Sequence, residues 1–187
     1  MIEVKAKGSV ISYMPGLFQK IRQNAGIMEA QIIQSMDPVN NREQIFKSNQ
    51  KTASGASSNS GGASSSFFFL TQDMKYIVKT MPEKEKYLLM SILKDLEEHK
   101  KQAPSLISEI VGIFKVNLNG FEPVNLVVMK NLAEKLRGKA MRFDIKGSKY
   151  KRRELYKENI SYSITMKDQD LSRILLRRPY LINLDRA

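Results

Sequence analysis

Phe67-Phe68-Phe69-Leu70 and Tyr76-Ile77-Val78-Lys79 are the two stretches that decide the fold of this chain. Both are rich in aromatic and branched residues, and Gln72-Asp73 between them is typical of a turn. This pattern predicts a β-hairpin. Because side chains alternate along a strand, we expect Ile77 and Lys79 to share one face of the second strand.

A helix and a second pair of strands follow the hairpin. Residues 83 to 101 predict a helix with glutamates in its first turn. Its apolar stripe consists of Tyr87, Leu88, Ile92, Leu93 and Leu96. Strands are predicted at Ile110 to Val116 and Asn125 to Met129, with the turn signal Asn119-Gly120 between them. The order hairpin, helix, hairpin favours an antiparallel sheet with packed helices, which is the α+β class.

The region before the hairpin predicts two short helices and a loop. The first helix follows Pro15 and stops at Gly26, and the second covers Ile27 to Met36. Residues 53 to 66 contain only four residue types, all of them small, and therefore predict a flexible loop that enters the hairpin.

The charge of the chain is strongly positive and unevenly distributed. The net charge is +12, and residues 130 to 153 carry ten basic and two acidic residues. Within them, Lys146 to Arg153 places five cations around Gly147, directly after Asp144-Ile145. Glycine lets a ligand approach the backbone, and Ser148 adds a hydroxyl donor, so the segment suits phosphate. A solvated basic loop is the competing interpretation.

Several classes of protein are disfavoured by composition. The chain has no cysteine, which excludes disulfides and thiol catalysis, and its one histidine, His99, lies at a charged helix end. We find no apolar run of membrane-spanning length and no signal-peptide core. We therefore expect an intracellular protein that is soluble or peripheral to a membrane.

A small-residue loop that enters a strand pair is how protein-kinase-like folds cover ATP phosphates, and a lysine at the end of the second strand grips them. Lys79 is that lysine here, and an outward-facing strand residue is the alternative. Glu85 lies where the start of a helix could direct a carboxylate at Lys79. Compensation of the helix dipole is the competing explanation for Glu85.

Seven motifs, in the correct order, resemble the amino-terminal lobe of the phosphatidylinositol phosphate kinases. Asp144-Ile145-Lys146-Gly147-Ser148 is similar to their Asp-Leu-Lys-Gly-Ser signature, and Tyr150 to Arg153 continues it as in the phosphatidylinositol-4-phosphate 5-kinase branch. The other resembling segments are Tyr13 to Arg22, Ile27 to Ser35, Ser64 to Phe69, Tyr76 to Thr80, Val127 to Asn131 and Lys167 to Leu171. The resemblance implies an α+β lobe of the protein-kinase-like (SAICAR-synthase-like) kind.

The resemblance also implies roles for individual residues. The implied catalytic residues are Lys79, Asp144 and Lys146. Those implied to bind ATP are Gly62, Ser64, Ser65, Ser66, Lys79, Glu85, Val128, Met129 and Asn131, the last three beside the adenine. Those implied to meet the inositol headgroup or the membrane are Lys146, Ser148, Lys149, Lys151, Arg152 and Arg153.

The chain departs from the family pattern at the nucleotide loop and in its acids. Ser65 replaces the second loop glycine. The family takes its Mg²⁺ carboxylate and its hydroxyl-orienting residue from Met-Asp-Tyr-Ser-Leu-Leu and Ile-Ile-Asp segments, which this sequence lacks. ATP and Mg²⁺ are thus the implied cofactors, with no Mg²⁺ ligand in this chain. We expect a fragment or truncated product that transfers no phosphate alone.

The implied organisation is one partial kinase domain over residues 1–187. Its predicted parts are amino-terminal helices at 1–52, the nucleotide loop at 53–66, the sheet and helix lobe at 67–153 and a truncated carboxyl-terminal part at 154–187. The expected partners are a phosphatidylinositol monophosphate, such as phosphatidylinositol 4-phosphate, and an anionic membrane, on whose cytosolic face the protein would be peripheral. Self-association into a homo-oligomer stays open.

Two other functions remain open from the sequence. The first is a non-catalytic module that uses the basic segment to bind phosphoinositides or a full-length partner. The second is a nucleic-acid binder, which the +12 charge permits. No helix-turn-helix, zinc or RNA-binding aromatic signature supports that reading, so we expect no nucleic-acid partner.

Overall fold

The computed structural model describes residues 7–42, 67–102, 104–134, 141–154 and 165–177. The chain divides into two compact units, with the boundary between residues 135 and 136 in the second half of the chain. The basic segment belongs to the second unit, and the predicted division at residue 153 stays a prediction. The loop predicted at 53–66 lies outside the described residues.

The first unit has the predicted α+β architecture. Its five strands form one antiparallel sheet in the order β1-β4-β5-β3-β2. The strands are β1 (Gly8–Ser12), β2 (Phe68–Leu70), β3 (Tyr76–Met81), β4 (Ile110–Leu118) and β5 (Val124–Lys130). The helices are α1 (Pro15–Asn24), α2 (Glu29–Ser35) and α3 (Glu83–Gln102), and residues 38–42 are also helical.

One turn and one helix stop lie where the sequence predicted them. Gly120 has φ +85°, and the Phe121 amide donates to the Leu118 carbonyl, so the Asn119-Gly120 signal does close the β4–β5 hairpin. Gly26 has φ +64° and follows α1, as expected of a helix stop.

Helices cover both faces of this sheet. Phe18 and Ile21 of α1 and Leu93 of α3 pack on one face, against Met81, Ile113 and Val127 of the strands. On the other face, Ile27 and the adjoining α2 pack against Tyr76, Val78 and Val128. The alternation predicted for β3 is therefore confirmed, because Tyr76 and Val78 lie together on the face that α2 covers.

The buried stripe of α3 differs from the predicted one. Leu93 is buried and Leu89 and Met90 pack beside it, but Tyr87, Leu88 and Ile92 are exposed by 61%, 64% and 46%. Lys86 points inward instead, and its side chain is only 2% exposed. The prediction is confirmed for Leu93 and wrong for Tyr87, Leu88 and Ile92, because periodicity does not identify a lysine as a buried position.

The second unit is smaller. Its described elements are β6 (Arg142–Asp144), β7 (Thr165–Lys167) and α4 (Asp168–Arg177). β6 and β7 pair in parallel, and Met166 and Ile174 are buried in this unit. The basic segment leaves the end of β6, and α4 starts directly at the end of β7. None of the helices in the described ranges is both long and apolar enough to cross a membrane.

Candidate functional site

Lys79 lies on the sheet face that carries α1 and α3, beyond the core cluster under those helices. Its cross-strand neighbours are Phe68 on β2 and Val127 on β5, and Ile77 shares its face. Val127 belongs to the core, whereas Phe68 is 39% exposed and Ile77 and Lys79 are half-buried. We call Phe68, Leu70, Ile77 and Lys79 the open strip. It places a cation beside partly exposed apolar side chains.

Glu85 is not paired with Lys79. It lies in the first turn of α3 and is exposed, and among the described residues no ion pair joins its carboxylate to the Lys79 amine. The acid of this turn that does form contacts is Glu83, two residues earlier. The structure therefore does not bring the Lys79 amine and the Glu85 carboxylate together.

Glu83 belongs to a polar cluster around the buried Lys86. The Lys86 amine donates to the Glu83 carboxylate and to the Tyr13 hydroxyl at 3.2 Å. It also lies 4.5 Å from the ring centroids of both Tyr13 and Tyr87, which is cation–π geometry. Asn125 of β5 donates to the other Glu83 oxygen at 2.6 Å. The cluster thus fastens the start of α3 to the segment before α1 and to β5.

These contacts shift the ionisation of the pair. The hydrogen bond from Lys86, followed by that from Asn125, lowers the pKa of Glu83 from 4.5 to about 2. The same bond from Lys86 to Glu83 raises the pKa of Lys86 above its ordinary value, against the opposing effect of desolvation. Both groups are therefore charged at neutral pH.

The three residues predicted to lie beside adenine have different environments. Val128 is buried opposite Val78, on the sheet face away from Lys79. Asn131 is buried, its amide donates to the Met74 carbonyl at 2.6 Å, and its Oδ1 accepts the Ala133 amide at 3.0 Å. Both side chains are therefore used within the fold, and their position beside an adenine stays a prediction. Met129, opposite Ile77, is the only one of the three on the face of Lys79.

The predicted phosphate-covering residues Gly62, Ser64, Ser65 and Ser66 lie outside the described residues. Nothing in the described part of the chain tests their assignment. The nucleotide assignment therefore depends on the open strip.

In the second unit, residues 145–153 form a loop that we call the basic loop. Its predicted membrane-facing cations Lys149 and Lys151 are exposed, as is the predicted headgroup residue Lys146. Tyr150 is 78% exposed, and the Lys151 amine lies 5.3 Å from its ring centroid. The loop therefore presents three ammonium groups and one aromatic ring to solvent.

Arg152 has a different position from the one predicted. Its side chain is only 12% exposed, and its Nε donates to Asp168 at 2.8 Å. Its guanidinium also donates to the Asp144 carbonyl and lies 3.1 Å from the Asp144 carboxylate. Arg152 was expected to meet a membrane, but it turns inward because two carboxylates hold it. Arg153 is half-buried, and Ser148 accepts the Tyr150 amide at 3.3 Å.

Asp144, predicted to be catalytic, forms part of this charge network. Its carboxylate lies 3.3 Å from the Lys146 amine and also pairs with Arg152. Burial by itself would raise the pKa of Asp144, but the hydrogen bonds from Arg152 and Lys146 outweigh it, and the pKa lies below its ordinary 3.8. The carboxylate is thus ionised and already paired with two cations.

Two consecutive residues at the start of α4, Asp168 and Gln169, hold the basic loop, and neither was assigned a role from the sequence. The Asp168 carboxylate accepts the backbone amides of Lys146 and Gly147 at 3.0 and 2.8 Å, in addition to Arg152. The Arg152 bond lowers the pKa of Asp168 from 3.8 to about 2. The signal was present in the sequence, because two acids spaced Asp-x-Asp directly after a strand are typical of a helix start.

Comparisons with known proteins identify the family. The sequence profile of the phosphatidylinositol-4-phosphate 5-kinase family matches residues 48–184. A probable phosphatidylinositol phosphate kinase of Dictyostelium discoideum is 32% identical over 160 residues, which cover 84% of this chain and 21% of that protein. The rat phosphatidylinositol 4-phosphate 5-kinase type-1 alpha is 37% identical over 160 residues, covering 85% of this chain and 27% of the relative.

A plant relative matches a shorter part: phosphatidylinositol 4-phosphate 5-kinase 3 of Arabidopsis thaliana is 35% identical over 104 residues, covering 54% of this chain and 15% of the relative. These matches place the chain among the phosphatidylinositol phosphate kinases. The chain belongs to the phosphatidylinositol-4-phosphate 5-kinase family. It spans about a fifth to a quarter of the length of the first two relatives.

Proposed function

We propose that this chain carries the nucleotide-binding lysine and the lipid-headgroup loop of a kinase that acts on a phosphatidylinositol monophosphate. The observation that carries the proposal is the basic loop, in which an internal charge network leaves Lys146, Lys149 and Lys151 exposed. Ammonium groups of this kind are suited to phosphate oxygens. The proposed substrate is phosphatidylinositol 4-phosphate and the proposed product is the 4,5-bisphosphate.

The open strip fits ATP. Phe68, Leu70 and Ile77 offer partly exposed apolar surface for a base, and Lys79 beside them offers a charge for the phosphates. In phosphoryl transfer the inositol hydroxyl oxygen bonds to the γ-phosphorus as the bond to ADP breaks. The role we assign to Lys79 is to hold the ATP phosphates.

The described residues do not fit Mg²⁺. No group of three or more potential metal ligands occurs among them, and Asp144 and Asp168 are paired with cations. We propose that this chain binds the nucleotide and the headgroup. The base and the carboxylate that holds the metal would come from the family segments that this sequence lacks.

The proposed location is the cytosolic face of a membrane, where the protein would be peripheral. Each cation near an anionic surface contributes on the order of 1 kcal/mol. Three exposed lysines would hold the chain there reversibly, and Tyr150 would lie at the level of the headgroups.

The lipid part of the proposal is tested with vesicles. Changing Lys146, Lys149 and Lys151 together to Ala should lower binding to phosphatidylcholine vesicles that contain phosphatidylinositol 4-phosphate by at least tenfold, measured by co-sedimentation. The matched control changes Lys20, Lys84 and Lys94, which are three exposed lysines of the first unit, and should retain most of the binding. Equal losses in both variants would refute a headgroup loop and indicate diffuse electrostatics.

The nucleotide part is tested with Lys79→Ala. This variant should bind a fluorescent ATP analogue at least tenfold more weakly than the wild type, while Lys20→Ala should bind it normally. The purified chain should transfer no phosphate from ATP to phosphatidylinositol 4-phosphate. Turnover that disappears in Lys79→Ala would contradict that expectation, because a contaminating kinase would not respond to this change.

One observation favours a non-catalytic phosphoinositide module as the second candidate. The described hydrogen bonds and ion pairs that shape the basic loop all lie within the second unit. A chain that binds the vesicles but shows no saturable ATP binding would support this second candidate over the first.

A further inference from the structure

The first turn of α4 contacts the basic loop along most of its length. Asp168 binds the backbone at Lys146 and Gly147 and the side chain of Arg152. Gln169 donates its side-chain amide to the Lys149 carbonyl, and its backbone amide donates to the Arg152 carbonyl at 2.9 Å. Two adjacent residues of one helix thus contact the loop at four positions between Lys146 and Arg152.

Asp170 extends the same arrangement past the end of the loop. Its carboxylate is 1% exposed and accepts the backbone amides of Glu154 at 2.9 Å and Lys167 at 3.0 Å. Hydrogen bonds that a carboxylate accepts are roughly twice as strong as those between neutral groups. The start of α4 therefore anchors both the loop and the strand that precedes the helix.

The loop needs such an anchor because its backbone is strained. Gly147 has φ +68°, and Lys151, which has a side chain, has φ +52°. A non-glycine residue in the left-handed region costs roughly 1–2 kcal/mol. Contacts that surround Lys151 on both sides, at Lys149 and Arg152, offset that cost.

We propose that Asp168 is a positioning residue for headgroup recognition. It fixes the Lys146-Gly147 backbone and, through Arg152, the direction in which Lys146, Lys149 and Lys151 leave the loop. This inference rests on the proposed headgroup function of the loop. The ligand chemistry it serves is a phosphomonoester on an inositol ring, because a rigid set of cations discriminates a compact dianion from a diffuse negative surface.

The charge of Asp168 makes the proposal distinguishable from net electrostatics. Replacing Asp168 with Asn removes one negative charge from a chain that already carries +12. Diffuse attraction then predicts stronger binding to every anionic vesicle. Loss of positioning predicts weaker binding, and only to vesicles that carry the phosphomonoester headgroup.

The experiment compares the full chain with Asp168→Asn on two vesicle types of equal surface charge, one containing phosphatidylinositol 4-phosphate and one phosphatidylserine. We expect the variant to lose at least fivefold on the first and to bind the second as well as or better than the wild type. The control is Glu122→Gln, which makes the same charge change at an exposed residue of the β4–β5 hairpin. It should keep the wild-type ratio of binding to phosphatidylinositol 4-phosphate vesicles over phosphatidylserine vesicles. Soluble inositol 1,4-bisphosphate should displace the wild type from the phosphoinositide vesicles and should bind poorly to Asp168→Asn. This competition distinguishes recognition of the headgroup from attraction to the lipid surface.

Each outcome decides between the accounts. An unchanged ratio in Asp168→Asn overturns the positioning role and leaves the headgroup function standing, whereas a wild type without preference for the phosphoinositide overturns the proposed function itself. Circular dichroism monitors folding, and Gln169→Ala is a milder second variant that removes only the side-chain bond to the Lys149 carbonyl. A twofold to threefold fall in the ratio for that variant supports the inference, and no fall speaks against it.

Discussion

The first turns of α3 and α4 both carry acidic residues, but they use them differently. In α3, Glu83 binds two side chains, Lys86 and Asn125, and Glu85 is exposed. In α4, Asp168 and Asp170 accept four backbone amides from the chain around them, in addition to Arg152. The same sequence signal thus supports packing in one unit and shapes a loop in the other.

The difference shows what an acidic helix start can do beyond compensating the dipole. The α3 cluster joins side chains to one another, so its role is to hold the packed elements together. Backbone partners fix the path of the chain, and this path carries the exposed lysines. Our central claim is that the start of α4 builds the basic loop before any ligand binds.

The largest expected effect is on stability, from Asp170→Ala. This change leaves the Glu154 and Lys167 amides without their acceptor, and hydrogen bonds to charged groups contribute about 1.5–3 kcal/mol each. We expect a loss of about 3 kcal/mol in the free energy of unfolding, measured by urea denaturation. The exposed Asp95 of α3 is the control, and Asp95→Ala should change it by less than about 0.5 kcal/mol. A loss below about 1 kcal/mol for Asp170→Ala would mean that the anchor is dispensable.

The second prediction exchanges two inward-facing cations, Lys86 and Arg152, for methionine. Arg152→Met should lower vesicle binding to phosphatidylinositol 4-phosphate about tenfold, because the loop loses its link to Asp144 and Asp168. Lys86→Met should leave that binding unchanged, because the contacts of Lys86 lie in the first unit, but it should lower the free energy of unfolding, since it removes the charged partner of Glu83. Equal vesicle binding by both variants would contradict the claim that only the start of α4 shapes the basic loop.

The third prediction concerns pH. Glu83 and Asp168 have pKa values of about 2 in the folded chain against ordinary values of 4.5 and 3.8. Their lowered pKa values stabilise the fold fully above the ordinary values, and this contribution is lost as the pH falls towards about 2. The melting temperature should therefore decrease from pH 5 to pH 2, and less steeply in Glu83→Gln and in Asp168→Asn. If the melting temperature of both variants fell with pH as steeply as that of the wild type, these two carboxylates would not be the source of the pH dependence.

The smallest effect is expected at two glycines with positive φ. An added Cβ at Gly147 or Gly120 meets no atom within 4 Å, so alanine there costs only backbone strain, about 1 kcal/mol. Both variants should be destabilised alike in urea. Only Gly147→Ala, in the basic loop, should also weaken the phosphoinositide preference, and a matching loss in Gly120→Ala would point to a global cause.

The sequence predicted the sheet and its hairpins well, because alternation in β3 and the Asn119-Gly120 turn are local signals. β1 was missed, since Gly8–Ser12 pairs with β4 about a hundred residues away and has no marked pattern of its own. The buried Lys86 was missed for a related reason. Its burial depends on Tyr13, 73 residues earlier, and no local periodicity encodes such a contact.

The candidate site was predicted in part. Local composition located the basic loop and its exposed lysines, and strand alternation placed Lys79 on the same face as Ile77. The inward turn of Arg152 could not be predicted, because a run of cations does not show which of them finds a carboxylate 16 residues later. Val128 and Asn131 were assigned from the resemblance alone, and strand register and hydrogen bonding place their side chains inside the fold.

Hydrogen–deuterium exchange on the ligand-free chain tests the central claim most directly. The Lys146 and Gly147 amides, which Asp168 accepts, should exchange slowly in the wild type and at close to unprotected rates in Asp168→Asn, while amides of β5 stay protected in both. Fast exchange at Lys146 and Gly147 in the wild type would contradict the account, because the loop would then have no fixed shape until a ligand binds.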